Sequence, residues 1–492
     1  MRRDRDFVST TNRKPAASIR LYFQVLTFLA AIAAGIASTP LQAAPCLIEL
    51  TSAAPAQSEP LDHHKPTVIV VDAYSSGRFL APAFRAYGYQ IIHIHSAGKP
   101  GIPSFAETFF PGNFSLDIPH NGNLRETLSR LTSFTDIRAV VTGADSGVLV
   151  SDELSTALKQ RFPNTPSNGI NIARKHKYFQ NVSVAEAGLD TAAQLKTSSP
   201  LAAQIWAHKN NLKNLFFPGK TKIVVKPMLS GGTDGVSFST SKWQLLQAFW
   251  GLIGTPDEFG QINEEVLLQE FLTGHEYVVN TESLNGYDKV TGIWIYRKRA
   301  SSDGRHWFYD HDVMLPYQGE LQNLLVEYTK KTLRALGKNN GSGHTEIKFV
   351  TDNNRGPVLV EMNDRMMGSG QPYLEEIATG HSQVDLKVMA IHDPQKFMAL
   401  DPGYTIKKNP MMVSLANPSE NNRLREDFAE TISREVEQEL VSQGGYFKLS
   451  MQYKPGEKLK KTIDMASSVG DIWIAHENPE VVKRALKKIR EI

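Results

Sequence analysis

The chain has 492 residues, 41% of them hydrophobic and 21% charged, which supports packed cores and excludes a mainly disordered protein. The net charge is only +3, from 54 basic and 51 acidic residues, so the balance gives no sign of a nucleic-acid partner. One cysteine, Cys46, excludes an internal disulfide framework and any multi-cysteine zinc or iron–sulfur site.

Residues 1–65 read as a signal-like or anchor segment followed by a linker. Arg2, Arg3, Arg5, Arg13, Lys14 and Arg20 precede a nearly uncharged apolar run, Leu21–Ala37, and the small residues of Thr39–Ala44 follow. This is the pattern of a secretory signal, and the run is at the short end for a spanning helix. Membrane contact through residues 21–37 is therefore an expectation. An uncleaved anchor and a start codon placed too far upstream explain the head as well. Residues 53–65, rich in Ala, Pro, Ser and His, form the linker.

Order begins at Thr67–Asp72, a short β-branched run expected to be a buried strand. A turn over Ala73–Gly77, a helix over Phe79–Tyr87 and a strand over Tyr89–Ile94 complete a βαβ start, with a further strand at Ala139–Thr142. That argues for a parallel sheet covered by helices. The Ser75–Gly77 turn reads either as structural or as an anion site. The pattern changes near Asn171–Lys177. A helix is expected over Lys177–Ala187, strands over 222–227, 265–272, 275–284, 289–298, 345–350 and 357–362, and helices over Leu321–Val326 and Tyr328–Leu336. From about Leu386 strands mix with a charged helix, Pro479–Ile492, whose Arg484–Ile492 stretch reads as a solvated face. The fold class is α/β (α+β): residues 66–175 form an N-terminal parallel-sheet domain, 176–385 a central region and 386–492 a C-terminal α/β cap.

Three stretches carry chemistry. In Ile223–Val236 an apolar strand ends in Lys226, and a loop with Ser230, Gly231 and Gly232 leads to another strand. Glycines let main-chain N–H groups surround phosphate oxygens, and the lysine adds a point charge. A Gly-rich hairpin with an exposed lysine would look similar. In Val266–Val279 two strands flank a tight turn bracketed by acids. The extended segment Gln269, Glu270 and Leu272 can offer main-chain groups to an adenine edge, and Glu276 can accept from ribose hydroxyls. An ordinary hairpin is the alternative. In the third stretch Glu361 and Asn363 lie two apart on one strand, so they share a face. Glu346 on the neighbouring strand can join them. Two carboxylates and an amide oxygen form a hard-oxygen set suited to Mg2+ or Mn2+. Arg365 continues that face and can fork onto a phosphate or carboxylate. Of the histidines His275, His306, His311 and His344, the last is the best candidate for a base or substrate contact, because it directly precedes a metal strand. Trp294, Tyr296 and Arg297 read equally as pocket wall or as core.

The order of these motifs resembles the ATP-grasp superfamily, over residues 66–492. Within it the chain looks most like the L-amino-acid ligases, or dipeptide synthetases, relatives of bacilysin synthetase and carnosine synthase. VDAYSSGRFLAPAF, ARKHKYFQ, EFLTGHEYVVNTES, WIYRKR and HTEIKF followed by LVEMNDRMMGSG carry that resemblance. It implies a two-lobed ATP-grasp region between the N-terminal domain and the cap. It further implies an ATP-dependent carboxylate–amine ligase that makes an acyl phosphate from an amino-acid carboxylate, then an amide bond, releasing ADP and phosphate. By resemblance Lys177 and Lys226 contact ATP phosphates, and Ser230–Gly235 closes over them. Gln269, Glu270 and Leu272 form the adenine hinge, Glu276 binds ribose, and Glu346, Glu361 and Asn363 hold Mg2+ or Mn2+. Arg365 steadies the transferred phosphoryl group. Lys175 lies close enough to Lys177 to compete for its role, and Met366–Met367 is expected to reshape the amino-acid pocket. A biotin-carboxylase-like or purine-pathway enzyme, and a non-catalytic exported nucleotide-binding protein, are the alternatives. Because ATP is scarce outside the cytoplasm, a cytoplasmic location is expected, against membrane anchoring or export. Amino acids are the expected partners, and a homodimer is a further expectation of the resemblance.

Overall fold

The computed structural model describes residues 60–96, 107–301, 304–465 and 467–492. The apolar run Leu21–Ala37, Cys46 and most of the linker lie outside them. Among the described residues no helix is long and apolar enough to cross a membrane.

Strands β1 (Thr67–Val71), β2 (Gln90–His95), β3 (Leu116–Pro119) and β4 (Ile137–Thr142) form a parallel sheet in the order β3-β2-β1-β4. Every residue of β1 is buried, because the sheet is covered on both faces. Val68 and Val70 pack with Leu80 and Phe84 of the helix Leu80–Arg85. Ile69 and Val71 pack with Leu154 and Leu158 of the helix Val148–Lys159. The expected Phe79–Tyr87 helix is shorter: a 3-10 turn, Ser75–Phe79, leads into Leu80–Arg85. The Ser75–Gly77 turn is built by close packing, since a Cβ on Gly77 would lie 2.6 Å from the Gly143 carbonyl oxygen.

A second, antiparallel sheet has the order β5-β8-β6-β7, from β5 (Gln194–Thr197), β6 (Ile223–Lys226), β7 (Ser237–Ser239) and β8 (Val266–Glu270). The helices Pro200–Lys209 and Lys242–Leu252 bury Ala203, Ala207, Leu245 and Phe249 against Ile223, Val225, Val266 and Leu268.

The third sheet is antiparallel and eight-stranded, in the order β13-β12-β9-β10-β11-β14-β16-β15. Its strands are β9 (His275–Leu284), β10 (Tyr287–Ala300), β11 (Trp307–Leu315), β12 (Gly341–Val350), β13 (Gly356–Asn363), β14 (Asn409–Leu415), β15 (Tyr446–Met451) and β16 (Gly470–His476). Strands β14–β16, from the C-terminal block, complete this sheet. The helix Pro479–Glu491 packs beneath them through Val481, Val482, Ala485, Leu486 and Ile489. Part of the Arg484–Ile492 stretch is thus core, with its charges on the outer face.

One expectation changes and one alternative falls away. The helix Glu320–Ala335 is continuous where the sequence suggests two pieces. Glu327 is simply an exposed residue on its outer face, while Leu325, Val326, Tyr328, Thr329, Thr332 and Leu333 keep the buried stripe unbroken. The segment 265–284 is not a hairpin: β8 pairs with β5 and β6, whereas β9 pairs with β10 and β12. Residues 271–274 therefore link two different sheets.

Candidate active site

A cavity of about 500 Å3 is lined by β6, the 227–236 loop, the 271–274 link and one face of the eight-stranded sheet. Lys177, Lys226, Ser230, Gly231, Gly232, Gln269, Glu270, Leu272, Glu276, His344, Glu346, Glu361 and Arg365 all line it. Asn363 is buried beside the lining and donates from Nδ2 to Glu361 Oε1 at 3.1 Å.

The acidic group is set by register. Glu346 and Glu361 are direct partners across β12 and β13, and His344 pairs with Asn363, with a bulge just after Glu346. Lys177 Nζ lies 3.2 Å from Glu361 Oε2 and also donates to the Ser230 carbonyl. Lys177 opens the helix Lys177–Glu186, so its position follows from where that helix begins. Burial works against charge at Glu361, but Lys177 and Lys226 outweigh it and hold its carboxyl well below the usual range. The same contact, against burial, leaves Lys177 raised. Lys226 is 5% exposed and makes no ion pair within 4 Å among the described residues. Burial brings it down to about 8 despite the pull of Glu361.

Lys175 sits elsewhere. Its Nζ is 2.6 Å from Asp145 Oδ2 and 4.5 Å from the Phe259 ring centroid. Of the two lysines, Lys177 is the one in the cavity lining. Arg365 Nε is 3.9 Å from Asp145 Oδ1, and Nη1 donates to the Met366 carbonyl at 2.9 Å.

The glycine loop is latched by acids. Glu258 Oε1 accepts from Gly231 N, and Asp234 Oδ2 accepts from Ser230 Oγ at 3.0 Å and from Glu258 N at 3.1 Å. Burial pushes Glu258 up to about 7. At the link, the Glu270 carboxylate is occupied by Arg355 Nη1 at 2.7 Å and Ala193 N at 3.2 Å. Gln269 Nε2 donates to Gln194 Oε1 at 3.1 Å. Leu272 makes no main-chain hydrogen bond among the described residues, which leaves its N–H and C=O for a ligand edge. Glu276 is buried, with Lys298 Nζ at 2.5 Å and Lys348 Nζ at 3.3 Å. Burial alone would raise it, and the two lysines instead hold it at about 2.

His344 is buried, with Nδ1 2.8 Å from Asn280 Oδ1 and Nε2 3.2 Å from Glu346 Oε1. Burial lowers its pKa, while both ring nitrogens face oxygen acceptors, which only the doubly protonated ring satisfies at once. His275 lies at the surface beside Arg297, and His311 pairs with Asp310 at 2.7 Å. Neither lines the cavity, and nor does His306. Tyr296 is wall, whereas Trp294 is core and donates from Nε1 to Glu375 at 3.1 Å. Met366 and Met367 do not line the cavity. They are buried in two apolar clusters, one with the N-terminal sheet and one with Trp294.

Sequence reasoning missed Lys298, Lys348, Tyr309, Asp312 and Asp471, all of which line the cavity. Lys348 was findable, being two residues beyond Glu346 on the same strand face. Asp312 was not, because β11 went unrecognised.

No family model matches the chain. It is 30% identical over 436 residues to dapdiamide A synthase of Enterobacter agglomerans, covering 87% of this chain and 96% of that one. An uncharacterised protein, y4rH of Sinorhizobium fredii, is 28% identical over 155 residues, 32% of this chain and 30% of its own. Among solved structures, an L-amino acid ligase from Bacillus licheniformis superposes with a TM-score of 0.63 at 15% identity, over 87% of this chain and 97% of that one. A carboxyaminoimidazole ribonucleotide synthase from Aspergillus clavatus, complexed with ATP, gives 0.58 at 13% identity over 87% and 98%. The solved structures establish the fold, and the relative matched over nearly its whole length establishes the family. The chain therefore belongs to the ATP-grasp enzymes, as an ATP-dependent carboxylate–amine ligase of the L-amino-acid-ligase type.

Proposed function

We propose that the protein joins the carboxylate of one amino acid to the amine of another, with Mg2+ or Mn2+ held by Glu346, Glu361 and Asn363. The observation that supports this most is that these oxygens, both lysines, the glycine loop and Arg365 belong to one cavity and its immediate wall. The donor set fits the metal: two carboxylates in direct register and an adjacent amide, all hard oxygens. When bound, the metal would neutralise phosphate charge as it shifts during transfer.

A carboxylate cannot acylate an amine near neutral pH, because its leaving group would be oxide. The substrate carboxylate oxygen bonds to the γ-phosphorus of ATP, the bond to ADP breaks, and an acyl phosphate results. The amine nitrogen then bonds to the acyl carbon, the bond to phosphate oxygen breaks, and phosphate leaves. Lys177 and Lys226 hold the phosphates, and the Ser230–Gly235 loop closes over them to keep water out. Glu276 holds ribose and the Leu272 main chain holds adenine. Arg365 stabilises the oxyanion when the amine attacks. His344 acts by positioning Glu346. Residues 66–175, 176–385 and 386–492 are taken as the three working parts, in a cytoplasmic protein where ATP is supplied. A homodimer is the proposed assembly, for light scattering to check.

The test is trapping with hydroxylamine. ATP, Mg2+ and the correct acyl donor should yield a hydroxamate without any amine substrate. ADP release with no hydroxamate for any amino acid would sink the acyl-phosphate reading.

A further inference from the structure

The eight-stranded sheet carries one cross-strand row that lines the cavity from Lys348 to Met412 and continues on the same face through Trp473 and Lys448, beyond the lining. In register order it runs Lys348, Glu276, Tyr296, Asp312, Met412, Trp473, Lys448. Strands lie ~4.8 Å apart, so Glu276 and Lys448 are separated by roughly 24 Å. Ribose is assigned to the Glu276 end, and Glu346 and Glu361 lie on the same side of the sheet. The stretch from Asp312 to Lys448 thus extends beyond the nucleotide and metal residues and is unused by the chemistry described so far.

Its charged side chains form no ion pair among the described residues, although Lys298 lies near Asp312. Asp312 is 1% exposed and lines the cavity. Oδ2 accepts from Gln371 Nε2 at 2.9 Å, but Oδ1 has no partner among the described residues. Asp471, also lining, accepts from Ser414 Oγ at 3.0 Å and forms no ion pair there either. Burial raises both carboxyls, Asp471 to about 6, and at Asp312 it outweighs the pull of nearby Lys298, whose ion pair is with Glu276. At the far end Lys448 Nζ lies 4.9 Å from the Trp473 ring centroid and 5.1 Å from that of Tyr373. Arg78 comes from the 3-10 turn Ser75–Phe79 after β1, and a Cβ on Gly370 would lie 3.7 Å from its Nη2 and 3.5 Å from the Trp473 ring. Gly368 and Ser369, just before Gly370, line the cavity. Arg78 and Lys448 are half-buried, and burial lowers both. Neither has a carboxylate in contact among the described residues, whereas Lys175, Lys177, Lys298 and Lys348 each do. Two acids and two cations, none of them in an ion pair among the described residues and with an aromatic wall between them, are complementary to a zwitterion.

We propose that this end of the row binds the amine-donating amino acid, its ammonium toward Asp312 and Asp471 and its carboxylate on Lys448 and Arg78. The assignment rests on the ligase reading above. It makes the free carboxylate of the second amino acid a recognised feature, with its side chain against Met412 and Trp473.

The experiment uses the full chain with ATP, Mg2+ and a fixed acyl donor, and compares each amine substrate as the free amino acid and as its neutral amide. In Arg78→Gln and Lys448→Met the KM for the free amino acid should rise by about tenfold or more, while that for the amide stays within about twofold. The KM for ATP should not move, which shows that the variants are folded. An equal rise for acid and amide, a rise confined to the acyl donor, or no change would overturn the assignment. If the wild-type protein makes product and the variants behave like it, only this inference falls. If the wild type consumes ATP with no amino acid at all, the ligase reading falls first.

Discussion

Replacing Lys226 with methionine should stabilise the ligand-free protein while weakening its hold on ATP. The side chain is 5% exposed, and burial takes its ammonium from the ordinary lysine value of 10.5 to about 8. At about 1.4 kcal/mol per pKa unit, keeping it charged in the fold at pH 7 costs roughly 3 kcal/mol. The folded protein releases this proton near pH 8 and the unfolded chain only near 10.5. The unfolded state therefore binds more protons within that window, and stability rises with pH through it. The cost is fully present below about pH 8 and gone above about 10.5. Methionine keeps most of the hydrocarbon and removes the charge. Thermal unfolding without ligand should thus give Lys226→Met a higher Tm near pH 7, by a few degrees for each kcal/mol. The difference from wild type should shrink towards about pH 10. ATP titration near pH 7 should weaken by about tenfold or more, since a buried charge-assisted phosphate contact is lost. A variant less stable than wild type near pH 7, or a difference that ignores pH, would refute the reasoning.

Three further outcomes are expected. Because Lys226 is partly neutral above pH 8 and its charge is needed for phosphate, ATP binding near pH 8.5 should take up a proton. Calorimetry in buffers of different ionisation enthalpy measures this, and a buffer-independent heat counts against it. Glu276→Gln leaves Lys298 and Lys348 facing each other without their carboxylate, so KM for ATP should rise about tenfold at nearly constant kcat, with less effect at high salt. Gly231→Ala puts a Cβ 2.8 Å from Glu258 Oε1 and 3.3 Å from Asp145 Oδ2. It should unlatch the loop and raise uncoupled ATP hydrolysis relative to ligation, read as the ratio of ADP to product.

Much of the site was legible because its chemistry is local in sequence. Glu361 and Asn363 share a strand, Glu346 meets Glu361 across a short hairpin, and Lys226 ends a strand before a glycine loop, so period-2 reasoning reached them. The 271–274 link was located correctly, but the sequence left an ordinary hairpin open as the alternative, which the strand pairing excludes. Whether two adjacent strands pair with each other or with strands far away in sequence depends on tertiary packing, which local periodicity does not encode. The strand β11 was missed because its run, WFYDHDVML, interrupts apolar residues with Asp310, His311 and Asp312, and the function of Asp312 lies in that interruption. The two methionines, adjacent to Gly368 in sequence, are drawn into cores on either side, so any effect they have on the pocket is exerted from behind its wall. Arg78 and Lys448 are 370 positions apart, and only the fold brings both to the Trp473 wall, Arg78 beside Gly370 and Lys448 over the indole ring.

The most direct test of the central claim is to incubate the full chain with ATP, Mg2+ and paired amino acids, and to record nucleotide release and product mass together. Ligation through an acyl phosphate predicts ADP, not AMP, in step with a product whose mass is the sum of the two acids less one water, and the loss of both in Glu361→Ala. Release of AMP and pyrophosphate, or ADP formation that is indifferent to amino acids and to Glu361, would contradict the account.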